Sequence, residues 1–138
     1  MARIIGGIIA GVAAAVAVIL LIETVGHLAF PLPDDLALRD PESVAQPVQA
    51  MPVAAKLIVV FAWFSAALAG GYVAKRICGR WWAAWPIAAL VALAGIVNVM
   101  MIPHPVWMQI ASVIAPLIGG LLAGHLIPAR TERINARS

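Results

Sequence analysis

Glu23 and His27 stand four residues apart in a 138-residue chain that is 64% hydrophobic and only 11% charged. That spacing puts both on one face of a helix, where a carboxylate and an imidazole can form a hydrogen-bonded or ionic pair. The chain around them is apolar from Ile4 to Ile22 and is broken at Pro31-Leu32-Pro33. Glu23 therefore falls ~10–12 Å inside a helix end at 1.5 Å per residue. An ionisable group at that depth in an apolar span costs energy unless it is paired, hydrated or neutral, and it often marks a function. Asn98, His104, Gln109 and Lys56 are expected at a similar height, with Ser65, Ser112 and Trp107 nearby. Glu23, His27, Lys56, Asn98, His104 and Gln109 thus make a candidate binding or proton site. The plainer alternative is that they satisfy one another and fix the register of the helices.

Glu23, His27 and His104 are residue types that suit Zn²⁺, but their spacing matches no zinc signature. The lone Cys78 excludes an intrachain disulfide and any cysteine-based cluster. Haem would need axial ligands at one height, and His125 is expected at the opposite end from His27 and His104. No metal and no cofactor is therefore expected. The chain carries no nucleophile–base pair, Walker loop, dinucleotide fingerprint or zincin helix. Ser65 and Ser112 have no neighbouring base, and serines in membrane spans usually bond to their own helix. No catalytic residue is assigned, and the chain is read as non-enzymatic.

The elements that must position these groups follow from hydropathy. The mean hydropathy is +1.02, whereas a soluble domain is roughly half apolar and about a quarter charged. That excludes a disordered chain and leaves room for about four spans of ~20–22 residues. The expectation is an all-α integral membrane fold, an antiparallel four-transmembrane-helix bundle forming one domain over 1–138. The spans are placed at about 4–30, 53–74, 83–102 and 106–127, with an outer loop at 31–52 and a cytoplasmic tail at 128–138. The first run exceeds the ~7–15 residues of a signal-peptide core and is read as an uncleaved span. Asp40-Pro41-Glu42-Ser43 in the outer loop has the form of a helix start. Trp81, Trp82 and Trp85 read as an interfacial belt, and Trp63 as packing within a span.

Charge sets the orientation. Arg3, Lys75, Arg76, Arg80, Arg130, Arg133 and Arg137 fall on one side, and Arg39 and Lys56 on the other. Seven against two places both termini in the cytoplasm. The pI of 9.8 is then a topology signal, and no nucleic-acid partner is expected. Cys78 lies on the reducing side and is expected to be a free thiol.

Small residues repeat every four positions in three of the spans. Gly7 and Gly11 in the first, Ala62, Ala66 and Gly70 in the second, and Gly120 and Gly124 in the fourth are expected to be packing positions. Gln109, Ser112, Pro116, Gly120 and Ala123 share one stripe, which is expected to face the bundle.

The chain resembles a family of small four-span bacterial inner-membrane proteins with no established activity. The likeness covers nearly its whole length. It is carried by Glu23 with Gly26-His27, Phe30-Pro31-Leu32-Pro33, Asp40-Pro41-Glu42 and Ala69-Gly70-Gly71-Tyr72-Val73-Ala74. It continues through Gly95-Ile96-Val97-Asn98 into Met101-Ile102-Pro103-His104-Pro105-Val106-Trp107, the most specific piece. The resemblance implies an inner-membrane location and the four-span plan, and it assigns no activity, cofactor or partner. Small multidrug antiporters share the span count and a first-helix glutamate, but the 22-residue outer loop here departs from their short loops. The first functional expectation is an accessory or scaffold subunit in the lipid bilayer, docked on other membrane subunits or on itself. The alternative is a small proton- or cation-coupled transporter or ligand-binding membrane protein that uses the Glu/His cluster.

Overall fold

In the computed structural model, residues 1–31 and 50–125 are described. The outer-loop helix start at Asp40-Pro41 and the basic tail lie outside them. Among the described residues four long helices stand out: α1 (Ala2–Ala29), α2 (Val53–Cys78), α3 (Ala84–Met101) and α4 (Val106–His125). A single 3₁₀ turn at Trp81–Ala83 leads into α3. The described residues hold no strand. All four helices are long and apolar enough to cross a membrane. Even α4, with 20 residues, reaches about 30 Å, the thickness of a bilayer's hydrocarbon core. The chain is an all-α multi-pass membrane bundle.

α2 runs on to Cys78, four residues beyond the expected end at Ala74. Lys75 and Arg76 do not stop it, because basic residues suit the negative end of a helix. Gly79 does. It adopts the left-handed conformation (φ 72°, ψ 18°) and donates its N–H to the Lys75 carbonyl at 2.7 Å, a glycine C-cap.

α2 is the hub of the bundle. It packs against α1 on one side and against α4 and α3 on the other, and α3 and α4 pack on each other. α1 rests on α2 and only grazes α3 and the 3₁₀ turn. The α1–α2 seam is built on glycine. A Cβ at Gly11 would stand 2.7 Å from the Gly70 oxygen, and one at Gly70 would stand 2.5 Å from the Gly11 oxygen. Each glycine's α-hydrogen therefore faces the other's carbonyl, a pair of Cα–H···O contacts. Further along the seam, a Cβ at Gly7 would collide with the Cys78 sulfur. That free thiol lies 3.5 Å from the Ile4 carbonyl.

α4 passes through Pro116 without a break. A proline inside a helix removes the bond to the carbonyl four residues earlier, here that of Ser112. Gly95 of α3 approaches this orphaned carbonyl so closely that a Cβ there would lie 2.9 Å from the Ser112 oxygen. The Ser112 hydroxyl turns to its own helix and donates to the Gln109 carbonyl at 2.7 Å, as expected of a serine in a span. Gly95→Ala should therefore part α3 from α4 and cost ~1–3 kcal/mol, the usual range for overpacking. Reversible unfolding of the reconstituted protein measures it, and wild-type stability would refute the account.

Ser112, Pro116, Gly120 and Ala123 are buried as their stripe requires, but Gln109 is exposed. Its place on the stripe is a correction to the sequence expectation. Gln109 lies in the first turn of α4, where its side-chain amide donates to the His104 carbonyl at 3.0 Å. The fully buried neighbour is Met108, which takes the inward position instead.

Candidate functional site

At the end of the bundle where α1 finishes and α2 begins lies a cavity of about 270 Å³. Its wall follows helical periodicity. α1 contributes Glu23, Gly26 and His27, spaced by three residues and one along a single face, and Phe30 follows at its C-cap. α2 contributes Ala55, Lys56, Ile58 and Val59 from its first two turns, and Met51 lies just before it. Asn98 and Ile102 close α3's side, with His104 from the hairpin and Met108 from α4. A Cβ at Gly26 would approach Ile58 to 3.1 Å, so glycine lets α1 and α2 meet along this wall.

Glu23, His27, Lys56, Asn98 and His104 are thus brought to one cavity. Gln109, Ser65, Ser112 and Trp107 do not line it. Glu23 is half-buried, and His27, in the last turn of α1, is exposed. The two share the cavity wall, but no hydrogen bond joins them among the described residues. Lys56 is only 8% exposed and is engaged with another group of the protein. His104 Nδ1 donates to the Ile102 carbonyl at 2.5 Å, which in the neutral ring leaves Nε2 as an acceptor. Among the described residues no group of three His, Cys, Asp or Glu stands close enough to hold a metal ion. The arrangement can offer one carboxylate, one ammonium, two imidazoles and an amide to a molecule set against apolar walls.

The expected packing residues fall elsewhere. Gly7, Gly11, Gly70 and Gly120 all face this chain's own helices, the last against Ala88 of α3. Gly124 packs more loosely, with its Cβ position 3.6 Å from the Trp81 carbonyl. Three contributors went unnoticed in the sequence. Gly119 touches α2, where a Cβ would lie 2.5 Å from the Phe64 oxygen. Gly119 and Gly120 are adjacent and so point ~100° apart, one serving α2 and the other α3. Gly95 has no partner four residues away to advertise it. Lys75 counted only as a topology charge, yet it is 4% exposed and donates to the Gly124 carbonyl in the last turn of α4. Its distance from the cavity, at the other end of α2, sets it apart as a structural group.

Compared with protein-family models, with curated proteins and with solved structures, the chain matches none.

Proposed function

We propose that this protein is a small solute-binding membrane protein of the bacterial inner membrane, with its ligand held in the cavity between α1, α2 and α3. One observation carries the proposal. Residues of opposite charge and three further polar side chains, drawn from different helices and the hairpin, line one space. Convergent polar groups set in a mostly apolar concavity are the usual make-up of a small-molecule site. The basic residues at the opposite end favour an outward-facing mouth and cytoplasmic termini.

The accessory-subunit reading, the first expectation from the sequence, draws on small-residue faces available for docking. Gly7, Gly11, Gly70 and Gly120 make contacts within the chain, so these positions do not support docking on another subunit. No step of covalent chemistry is assigned to the cavity.

Thiol labelling tests both the cavity and its direction. In a Cys78→Ser background, Asn98→Cys should react with a small membrane-impermeant thiol reagent added outside sealed vesicles or cells. Gln46→Cys, in the outer loop, serves as the positive control. Labelling of position 98 only from the cytoplasmic side, or no labelling from either side, would refute a water-filled cavity open to the outside.

A further inference from the structure

Resting on that reading of the cavity, we infer that its ligand is a small zwitterion: one molecule bearing an ammonium and an oxyanion, with an apolar substituent. The carboxylate of Glu23 comes from α1 and the ammonium of Lys56 from α2, and both line the same space. A ligand that enters displaces water from the half-buried Glu23 carboxylate and comes to lie beside the buried Lys56 ammonium, and a charge is costly to bury unless a partner replaces its water. A purely cationic ligand would face Lys56, and a purely anionic one would face Glu23. An uncharged ligand would not compensate Glu23. A molecule bearing both signs replaces the lost water at Glu23 and sets no like charge against Lys56.

The available donors and acceptors agree. Lys56 is already engaged within the protein, and an ammonium has three donors, so it keeps its partner while donating to a ligand oxyanion. The Glu23 carboxylate only accepts, and it has room for an ammonium's N–H groups. The free Nε2 of His104 adds a further acceptor. Phe30, Ile58, Val59 and Met108 provide the apolar wall for the substituent. The cavity volume of about 270 Å³ has room for roughly nine waters at about 30 Å³ each, which accommodates a molecule of amino-acid size. Two sources offer this chemistry: a free amino-acid-like solute, and the head of a zwitterionic lipid such as phosphatidylethanolamine.

The test is a binding comparison on the unmodified full chain in phosphatidylglycerol nanodiscs. Leucine is compared with isopentylamine, which lacks the carboxylate, and with 4-methylpentanoate, which lacks the ammonium. Dihexanoyl-phosphatidylethanolamine is compared with dihexanoyl-phosphatidylglycerol. At least one zwitterion should bind tenfold or more tightly than its single-charge relative. Binding of leucine identifies a free solute, and binding of the ethanolamine lipid identifies a lipid head. Glu23→Gln should weaken the zwitterion at least tenfold and tighten 4-methylpentanoate, which no longer faces a like charge, with Lys56→Gln tightening isopentylamine in the same way. The wild-type comparison stands even where Lys56→Gln proves too unstable to purify. Single-charge relatives that bind as tightly as the zwitterions would overturn this inference and leave the cavity as a ligand site of another class. Absence of binding by every probe would also overturn it, and labelling at position 98 would then decide separately whether the cavity reading survives.

Discussion

Gly70→Ala is expected to destabilise the reconstituted protein by about 3 kcal/mol, the upper end of the overpacking range, and to release α1 from the bundle. The new methyl group would stand 2.5 Å from the Gly11 carbonyl oxygen, 2.8 Å from the Ala15 Cβ and 2.9 Å from the Ile87 side chain. A flexible side chain can turn aside, but a helix backbone cannot. The seam must therefore open by shifting a whole helix. α1 has little else to hold it, since it meets α3 only in passing. Lipid on its far side offers no compensating drive, because apolar side chains gain little by leaving lipid for a helix surface. Gly6→Ala is the matched control: nothing lies within 4 Å of that Cβ position. Its effect should stay within about 1 kcal/mol, in the stabilising direction set by helix propensity. Unfolding titrations that find the two variants equally stable would remove the seam from the account of this fold.

The second large effect is expected at Lys75. Lys75→Met keeps most of the side-chain volume but removes the ammonium that donates to Gly124. A hydrogen bond to a charged group contributes ~1.5–3 kcal/mol, and the residue four beyond Gly124 is Pro128, which has no N–H to offer that carbonyl. A loss of about 2 kcal/mol should follow. Lys75→Glu should cost more, because it sets a buried anion against carbonyl oxygens. Arg76, next along the chain, is exposed and lies over the Tyr72 ring at 6.0 Å. Arg76→Met should cost no more than ~0.5–1 kcal/mol, the usual strength of an exposed cation–π contact. Equal losses at positions 75 and 76 would show that burial of the lysine confers nothing.

These two sites also mark how much was legible in the sequence. Hydropathy and proline placement locate four spans because lipid forces every backbone group to bond within its own helix. The Glu23–His27 pairing on one face follows from spacing alone, and the cavity gathers both with Lys56, Asn98 and His104. What hydropathy does not encode is which helix sits in the middle. α2 becomes the hub because Gly70, Gly71 and the alanines around them let neighbours approach from several directions. A count of residues every four positions follows one row of a helix at a time. It therefore finds Gly120 and passes over Gly119. Gln109 misled for a related reason: at the first turn of a helix a polar side chain has a backbone carbonyl within reach, which the stripe pattern ignores. Lys75 was hidden by its own plausibility, since a lysine at a span end is expected to meet the membrane surface.

The lateral seat of α1 has a consequence for assembly. Although α1 emerges before α2 during synthesis, its seam reaches from Gly26 at one end to the contact of Gly7 with Cys78 at the other. It can dock only after the whole of α2 has been threaded into the bilayer. Until then α1 is a lone span carrying Glu23 and His27, and the cavity does not exist. The cavity is thus created by a helix–helix association event, so its occupancy and the docking of α1 are thermodynamically linked. Whatever fills the cavity tightens the glycine seam, and whatever loosens the seam empties the cavity.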